Sequence, residues 1–564
     1  MSDNDKWVWF TEEEPIPGLL GPDPAKAKVE AFDWKLDDVG ADVARKPGPS
    51  ALARAIGLHN EGKSEDALKE LETAADSGDG SAELYSAMGN IQFSLGRFED
   101  GAKSYARSAA SEPKHRTARY NEGICHERAS KWKEAVEAFH AALEIDPKRH
   151  EARFGLAVCF LHLGQPEKAA EAADQHLKAK ADHSGAQFAK AVALHLLKKY
   201  DQAEALYRKV LAKNPNSVEA LSNMVALAMT RKDNLGIRET AEKLLKVKSD
   251  ARVALEGLAT VALAAEDFEA AVRHCSRLSD VAPNSFEAWF NLAVASQETG
   301  RLDQAVRCYG KALAIRENDA MAHASLGTAL QEKGDLEGAR RAYQKALQLS
   351  PGLPGPMWNL ALVSEKNGDS ADAEKLYQTL VAKHPEWEDA WFRLGYLRLE
   401  RSDYQGSVEA FQACLKKRND WTDAELNLGV AYWRLGDRTG TRQAFEKALV
   451  AQPKSREALR ALAALAVERQ DYEQAFDLQT KLIDLGERGA ELFYNTGLLL
   501  QKSGMLEDAV KHYREALTEN PKIAEALLNM GHALKSLGQE AEARACWRKA
   551  IEVNPDLAAN YFAS

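Results

Sequence analysis

The chain has 564 residues, of which 45% are hydrophobic and 28% charged, and its formal net charge is −11. This apolar content is ordinary for a folded protein. The acid excess argues against a non-specific nucleic-acid binder, because neutralisation of phosphates by Lys and Arg supplies most of such a protein's affinity.

Six cysteines without a C-x-x-C pair argue against a disulfide framework and against a zinc site. No run of 18 apolar residues occurs, so the sequence predicts no membrane insertion. The N-terminus, MSDNDKWVWFTEEE, carries acids where a signal peptide needs a basic start. We therefore expect a cytoplasmic protein.

The first predicted element is an extended acidic segment, residues 1–47, with 11 acids and 6 bases. Four prolines between residues 15 and 24 break any helix. Aromatic residues near 7–10 and 32–34 make it unlike a solvated tail, because disordered tails are poor in such residues. Two interpretations remain open: the segment packs on the rest of the chain, or it docks a partner.

The remaining sequence repeats with a period of 34 residues. Starting from Gly48, the frame holds fifteen times, to Leu557, without insertion or deletion. Position 8 is Gly or Ala in fourteen repeats, position 20 is Ala in eleven, position 24 is aromatic in ten and position 32 is Pro in nine. Apolar residues recur at helical spacing in two stretches per repeat. A Gly near position 15 and the Pro at 32 predict the ends of the two helices. The fold is thus predicted to be all-α, with one helix-turn-helix unit per repeat.

Repeats such as AEALLNMGHALKSLGQEAEARACWRKAIEVNPDL, at 524–557, resemble tetratricopeptide repeats. The resemblance covers 48–557. It implies a right-handed α-solenoid of about fifteen repeats whose first helices line a concave groove, and it implies binding of other proteins or peptides in that groove.

Two stretches depart from this pattern. The repeat 218–251 has Val225, Ile237 and Ser249 at positions 8, 20 and 32, so we expect looser packing there and a bend. Residues 558–564 read as the start of a truncated terminal helix. The last repeat of a solenoid exposes an apolar face. Either that face is tolerated in water or something covers it, and self-association through the C-terminal end is the hypothesis for the second case.

One motif imitates a phosphate-binding loop. Residues 57–64, GLHNEGKS, fit G-x-x-x-x-G-K-S. Such a loop follows a β-strand and opens a helix, whereas here Gly57 falls inside a predicted first helix. We therefore interpret the match as coincidental. No cofactor, metal site or catalytic constellation is predicted, and the protein is expected not to be an enzyme.

The candidate binding site lies on the groove face of the first helices. Position 6 is Asn in seven repeats, and an Asn side chain can pair with both the N–H and the C=O of a bound peptide. This resembles the asparagine ladder of the repeat domain of O-linked N-acetylglucosamine transferases. The alternative is that these Asn side chains only bind water. The predicted peptide-binding asparagines are Asn121, Asn223, Asn291, Asn359, Asn427, Asn495 and Asn529.

Aromatic side chains next to this ladder are predicted anchors, since they give a large contact area at little entropy cost. The alternative for aromatic residues at position 5 is packing within the solenoid. The predicted anchors are Tyr120, Phe290, Trp358, Phe392, Tyr396, Trp433 and Tyr494, and the site is centred on 286–455. Position 2 is acidic in nine repeats, so a groove that these acids rim would favour neutral or basic ligands.

The leading functional interpretation is a protein-interaction scaffold or adaptor that binds extended segments. The alternatives are a non-catalytic targeting subunit for a glycosyltransferase or other partner enzyme, and a co-chaperone. The carboxylate clamp of chaperone-binding tetratricopeptide domains would need Lys at position 389, where this chain has Asp389.

Overall fold

The computed structural model describes residues 51–557, and the contacts of the chain divide it into two compact units, one ending at Asn318 and the other starting at Asp319. Between residues 51 and 557 the backbone consists of helices and short turns, without a strand. This confirms the predicted all-α repeat architecture. The predictions for residues 1–47 and 558–564 lie outside the described residues.

The described part of the first unit contains eight helix pairs, one for each repeat. The odd-numbered helix is the first helix of its repeat and the even-numbered helix is the second. In chain order they are α1 (Ala51–Asn60), α2 (Ser64–Asp76), α3 (Ala82–Ser94), α4 (Phe98–Ser111), α5 (Ala118–Arg128), α6 (Trp132–Ile145), α7 (His150–His162), α8 (Pro166–Ala179), α9 (Ser184–Leu196), α10 (Tyr200–Lys213), α11 (Val218–Thr230), α12 (Asn234–Val247), α13 (Arg252–Ala264), α14 (Phe268–Val281), α15 (Phe286–Glu298) and α16 (Leu302–Ile315).

The described part of the second unit continues the same scheme with seven pairs and a short 3₁₀ turn, Pro555–Leu557. Its helices are α17 (Ala320–Lys333), α18 (Leu336–Leu349), α19 (Pro354–Lys366), α20 (Ser370–Lys383), α21 (Glu388–Glu400), α22 (Tyr404–Lys417), α23 (Thr422–Leu435), α24 (Arg438–Ala451), α25 (Arg456–Glu468), α26 (Tyr472–Asp484), α27 (Ala490–Lys502), α28 (Leu506–Glu519), α29 (Ala524–Ser536) and α30 (Glu540–Val553).

Within each unit every helix packs against the next one in sequence. First helices of neighbouring repeats also contact each other, for example α7 with α9 and α21 with α23, more extensively than second helices do. The first helices therefore lie on the inner side of each row of repeats, where the sequence placed the groove.

The aromatic residue at position 24 packs onto the small residue at position 8 of its own repeat. Phe139 is fully buried. A Cβ added to Gly123 would lie 2.7 Å from its ring, and a Cβ on Gly155, in the next repeat, would lie 2.6 Å from it. The small residues are therefore needed because an aromatic ring occupies the space that a side chain would take.

Position 15 turns the chain between the two helices of each repeat with a left-handed backbone conformation. Nine repeats place Gly there, with φ between 66° and 90°, as at Gly164 and Gly334. The other six use non-glycine residues with φ between 54° and 64°, such as Lys198 and Glu266. Glycine adopts this conformation without steric cost, whereas other residues are strained in it.

The divergent repeat 218–251 is packed as closely as its neighbours at positions 8 and 20, two of its three substituted positions. Val225 and Ile237 are 0% and 1% exposed. Gly257, at position 6 of the next repeat, compensates for their size, because a Cβ there would lie 2.9 Å from Ile237 Cγ2 and 3.2 Å from Val225 Cγ1. The side chains thus give no support to the expected looseness. The looser packing and the bend remain predictions, which hydrogen exchange across 218–251 would test.

Replacing Gly257 by alanine is expected to destabilise the protein by about 1 kcal/mol. Overpacking a core costs about 1–3 kcal/mol, and the better helix propensity of Ala offsets about 1 kcal/mol of that. Gly310→Ala is the matched control, because nothing lies within 4 Å of a Cβ at that helical glycine. It is expected to be neutral or stabilising in urea unfolding. Equal unfolding free energies for the two variants would contradict the compensation.

The phosphate-loop motif is not a phosphate loop. Gly57 lies inside α1, and Gly62 is the turn residue of its repeat with φ 80°. His59 Nδ1 lies 3.0 Å from Ser64 Oγ, which closes the turn with a side-chain hydrogen bond. The residues before Gly57 that the structure describes are helical, so the strand that such a loop requires is not there.

Candidate peptide-binding cleft

Three successive first helices of the second unit, α21, α23 and α25, form a cleft of about 460 Å³. They contribute positions 2, 5, 6 and 9 of their repeats, which share one face because steps of three and four residues stack on a helix. The cleft is lined by Phe392, Arg393, Tyr396, Asp423, Leu426, Asn427, Val430, Phe445, Glu457 and Ala461.

Three predicted site residues, Phe392, Tyr396 and Asn427, meet in this cleft. Tyr396 is 38% exposed, while Phe392 and Asn427 are half-buried. Asn427 Nδ2 donates a hydrogen bond to the Asp423 carbonyl oxygen one turn earlier, at 2.8 Å. One amide hydrogen of Asn427 is therefore engaged within its own helix. The side chain retains its oxygen and a second N–H with which to pair a peptide.

The charges of the cleft are unevenly distributed. Arg393 stands at the end formed by α21, where its guanidinium lies 3.9 Å from a Glu365 carboxylate oxygen. Asp423 and Glu457 are exposed acids on α23 and α25. A hydrogen bond to Glu400 raises the pKa of Tyr396, so this phenol stays protonated at neutral pH. The cleft thus combines an apolar floor with one cation at one end and two carboxylates towards the other.

The asparagines of the first unit are not on an open surface, which corrects the prediction for three ladder positions. Asn121, Asn223 and Asn291 are 0% exposed. Asn223 Nδ2 donates to the Glu219 carbonyl oxygen at 2.8 Å, as Asn427 does to its own helix. The carbonyl at position 2 thus gives Asn a structural reason to recur at position 6. In these three repeats the neighbouring helices enclose the amide completely.

Several aromatic residues at position 5 are covered by residues at position 34 of the same repeat. The Arg149 guanidinium lies 4.2 Å from the centroid of the Tyr120 ring. The rings of Phe392 and Trp421 stack with centroids 4.5 Å apart. Packing within the solenoid, the alternative for position 5, therefore accounts for part of each ring. Such packing buries nearly all of the surface of Tyr120 and Phe290, which are each 3% exposed. These two rings are therefore not available as anchors for a ligand.

The other predicted site residues are half-buried and lie outside this cleft. They are Trp358, Asn359, Trp433, Tyr494, Asn495 and Asn529. Asn529 Nδ2 donates to the Tyr494 hydroxyl oxygen at 3.1 Å. The Arg438 guanidinium covers the Trp433 ring at 4.7 Å. The groove role of these residues remains a prediction.

The sequence analysis missed five residues that line the cleft: Arg393, Leu426, Val430, Phe445 and Ala461. Leu426 and Val430 stand at positions 5 and 9, so the helical spacing that identified Phe392 and Tyr396 could have found them. They were missed because only aromatic residues were treated as anchors. Phe445 belongs to a second helix, and only packing shows that its ring reaches the cleft.

Several residues at position 12 of the first helices face the repeat core. The Tyr377 hydroxyl donates to Glu365 Oε2 at 2.6 Å, and the Tyr513 hydroxyl donates to Gln501 Oε1 at 2.7 Å. This hydrogen bond joins positions 24 and 12 of one repeat. A buried phenol needs such a partner, and the polar residue at position 12 supplies it.

Neither cysteine nor histidine forms a second site. All six cysteines are free thiols, and burial raises the pKa of Cys125 to about 12, far from that of a nucleophilic thiolate. His176 and His183 have ring centroids 4.6 Å apart. Within residues 51–557, no three His, Cys, Asp or Glu side chains are grouped so that they could hold a metal ion.

Acid is expected to weaken the repeat 184–217 through His195. This side chain is 3% exposed, and its ring centroid lies 5.8 Å from that of Tyr200 and 6.4 Å from that of Tyr207. Burial lowers the pKa of His195 to about 4, so the unfolded chain, with a His pKa of about 6.5, binds this proton more readily. Its stabilising contribution is complete above pH 6.5 and is lost as the pH falls towards 4, by at most about 1.4 kcal/mol per unit.

Urea unfolding at pH 7 and pH 5 checks this dependence. The wild type is expected to lose about 1–2 kcal/mol more than His195→Leu over this interval. The exposed His140 provides the control, because His140→Leu should keep the wild-type pH dependence. If His195→Leu lost as much stability as the wild type, His195 would not be the group responsible.

Sequence models of the tetratricopeptide repeat match most of the chain, which therefore belongs to the tetratricopeptide repeat family. The matched residues are 86–150, 128–194, 186–217, 256–303, 284–352, 359–424, 426–490, 490–523 and 524–557. None of these ranges covers 218–255, where the divergent repeat lies. The family's fold of helix pairs is typical of non-catalytic scaffolds for protein interaction.

Two curated relatives share part of the repeat region. The chain is 29% identical over 104 residues to Protein O-mannosyl-transferase TMTC1 of Homo sapiens, which is 18% of this chain and 12% of that protein. It is 27% identical over 109 residues to the same enzyme of Mus musculus, again 12% of that protein. The chain thus matches about an eighth of the length of these relatives.

Two solved structures show a limited similarity to this chain. YrrB, described as a TPR protein with an unusual peptide-binding site, is 22% identical, with 33% of this chain and 96% of that chain covered and a TM-score of 0.31. The Cut9–Hcn1 hetero-tetramer of the APC/C is 15% identical, with 85% and 95% covered and a TM-score of 0.30. None of the helices between residues 51 and 557 combines the length and apolar composition that crossing a bilayer requires.

Proposed function

We propose that the protein is an interaction scaffold that holds an extended segment of a partner protein in the cleft formed by α21, α23 and α25. The observation that carries this proposal is the composition of the cleft. An exposed aromatic ring, Tyr396, and an exposed aliphatic side chain, Val430, stand beside Asn427 on the inner face of three successive repeats.

The chemistry of the cleft suits an extended chain better than a small molecule. It is an open furrow across three parallel helices, so a bound segment would cross repeats as it extends. Asn427 can pair with backbone groups without selecting side chains. The apolar floor around Val430 would take one apolar side chain of the segment, and that burial is the main source of binding energy.

A random peptide library displayed on phage tests the proposal when it is selected against the full chain. Enriched peptides are expected to bind one per chain and to compete with one another for a single site. Val430→Glu, which places a carboxylate on the cleft floor, should abolish their binding. Failure to enrich any peptide, or equal binding to the Val430→Glu variant, would overturn the proposal.

The residues of this cleft do not favour either alternative function, a co-chaperone or a targeting subunit for a glycosyltransferase. For a co-chaperone, Asp389 still occupies the place of the Lys that a carboxylate clamp requires. For a glycosyltransferase-targeting subunit, the similarity to the mannosyl-transferases is confined to 12% of their length. The scaffold function therefore stands as the proposal.

A further inference from the structure

The second unit carries an unbroken series of exposed carboxylates at position 2 of its last four repeats. We call Asp423, Glu457, Glu491 and Glu525 the acidic row. Each lies in the first turn of a first helix, on α23, α25, α27 and α29 respectively, and each is exposed. Asp423 and Glu457 also line the cleft, so the row begins in the cleft and continues beyond it towards the C-terminal repeats.

In two repeats of the first unit, the acid at position 2 is neutralised by a cation of the same repeat. Glu151 forms an ion pair with Lys180, and Glu287 forms one with Arg316. In both repeats the cation stands at position 31, after the second helix. The corresponding residues in the repeats of the acidic row are Gln452, Gly486, Asn520 and Asn554, which carry no positive charge.

None of the four carboxylates of the acidic row forms an ion pair within the part of the chain that the structure describes. Nearby cations have other partners: Arg460 pairs with Glu487 at 2.9 Å, and Arg456 donates to the Leu485 carbonyl oxygen at 2.7 Å. A favourable interaction with the helix dipole explains an acid in a first turn. The dipole acts on each helix separately, so it does not account for four such carboxylates standing in consecutive repeats without a cationic partner.

We propose that the acidic row selects the partner, so that the segment held in the cleft is basic, with one apolar side chain on the cleft floor and Lys or Arg residues along the acidic row. The inference rests on the proposed function and adds the charge of the ligand to it. The bound cations replace, from outside, the position-31 cations of the first unit.

The spacing of the acidic row sets the spacing of the basic residues. Helices in direct contact lie about 8–10 Å apart, and an extended chain advances about 3.3–3.6 Å per residue. A bound extended segment would therefore pass from one first helix to the next about every three residues. The basic residues are expected about three apart, on the side of the apolar anchor that faces α27 and α29.

The test uses the random peptide library on the full chain, followed by affinity measurements with the enriched peptides as synthetic, fluorescently labelled probes. Enriched sequences are expected to combine an apolar residue with an excess of Lys and Arg and a depletion of Asp and Glu. The variant Glu491→Gln/Glu525→Gln removes the part of the row outside the cleft. It should weaken binding about two- to five-fold for each carboxylate removed, and less so at high salt.

A matched control removes two exposed acids from second helices of repeats that carry the acidic row, Glu473→Gln/Glu507→Gln. It should bind within two-fold of the wild type. Two outcomes overturn the inference alone: enriched peptides without a basic excess, or wild-type affinity in Glu491→Gln/Glu525→Gln, when Val430→Glu still abolishes binding. If Val430→Glu binds normally or no peptide is enriched, the proposed function fails, and the inference fails with it.

Discussion

Val430→Glu is expected to reduce the affinity for a selected peptide at least about ten-fold, which corresponds to about 1.4 kcal/mol. Val430 is 39% exposed in the free protein, so the new carboxylate is solvated there and folding is little affected. In the complex the same carboxylate would be enclosed between the cleft floor and an apolar side chain. Burying an unpaired charge costs far more than the lost aliphatic contact.

The control for this variant is Val450→Glu. Val450 is 85% exposed on the second helix α24 and does not line the cleft. It adds the same charge to the same repeat, so it should retain peptide binding. Both variants should show wild-type circular dichroism and unfolding. Loss of binding in both variants would mean that the charge acts at long range, and the cleft would not be identified as the site.

Phe139→Ala is expected to produce a large loss of stability, about 3–5 kcal/mol. The ring is fully buried between the backbones of Gly123 and Gly155, and its centroid lies 5.9 Å from that of Tyr120. Alanine would leave a cavity that these glycines cannot fill, since neither has a side chain. Two neighbouring repeats would lose their shared contact at once.

Because each repeat of a solenoid contacts only its neighbours, the damage should stay local. Hydrogen exchange is expected to accelerate in α5–α8, while the second unit keeps its protection. Leu235→Ala, at a residue that is 79% exposed in the same unit, should change stability by less than about 0.5 kcal/mol. Unchanged exchange in α5–α8 would contradict the packing role of the position 8 and position 24 pairs.

The repeat frame could be predicted from the sequence because its causes are local. A small residue at position 8, such as Gly123, and an aromatic residue at position 24, such as Phe139, recur at fixed offsets. A residue with positive φ must follow each first helix. The compensation at Gly257 could not be predicted, because it joins position 6 of one repeat to positions 8 and 20 of the preceding one. When each repeat is compared with the common pattern on its own, Val225 and Ile237 predict poor packing.

The groove face could be predicted from helical spacing, but the exposure of its residues could not. Asn223 and Asn427 share a repeat position and the same hydrogen bond to their own helix, yet one is fully buried and the other half-buried. The difference depends on how closely the neighbouring first helices approach. Helical spacing places Val430 on the groove face, but its partial exposure on the cleft floor is known only from the structure.

The most direct test of the central claim is photo-crosslinking from the cleft. p-Benzoylphenylalanine in place of Tyr396, an exposed aromatic residue of the cleft, should crosslink a selected peptide on irradiation. The same amino acid in place of Tyr404, on the second helix α22 of that repeat, should not. Crosslinking from both positions, or from position 404 alone, would contradict the account, because the peptide would then be bound outside the cleft formed by α21, α23 and α25.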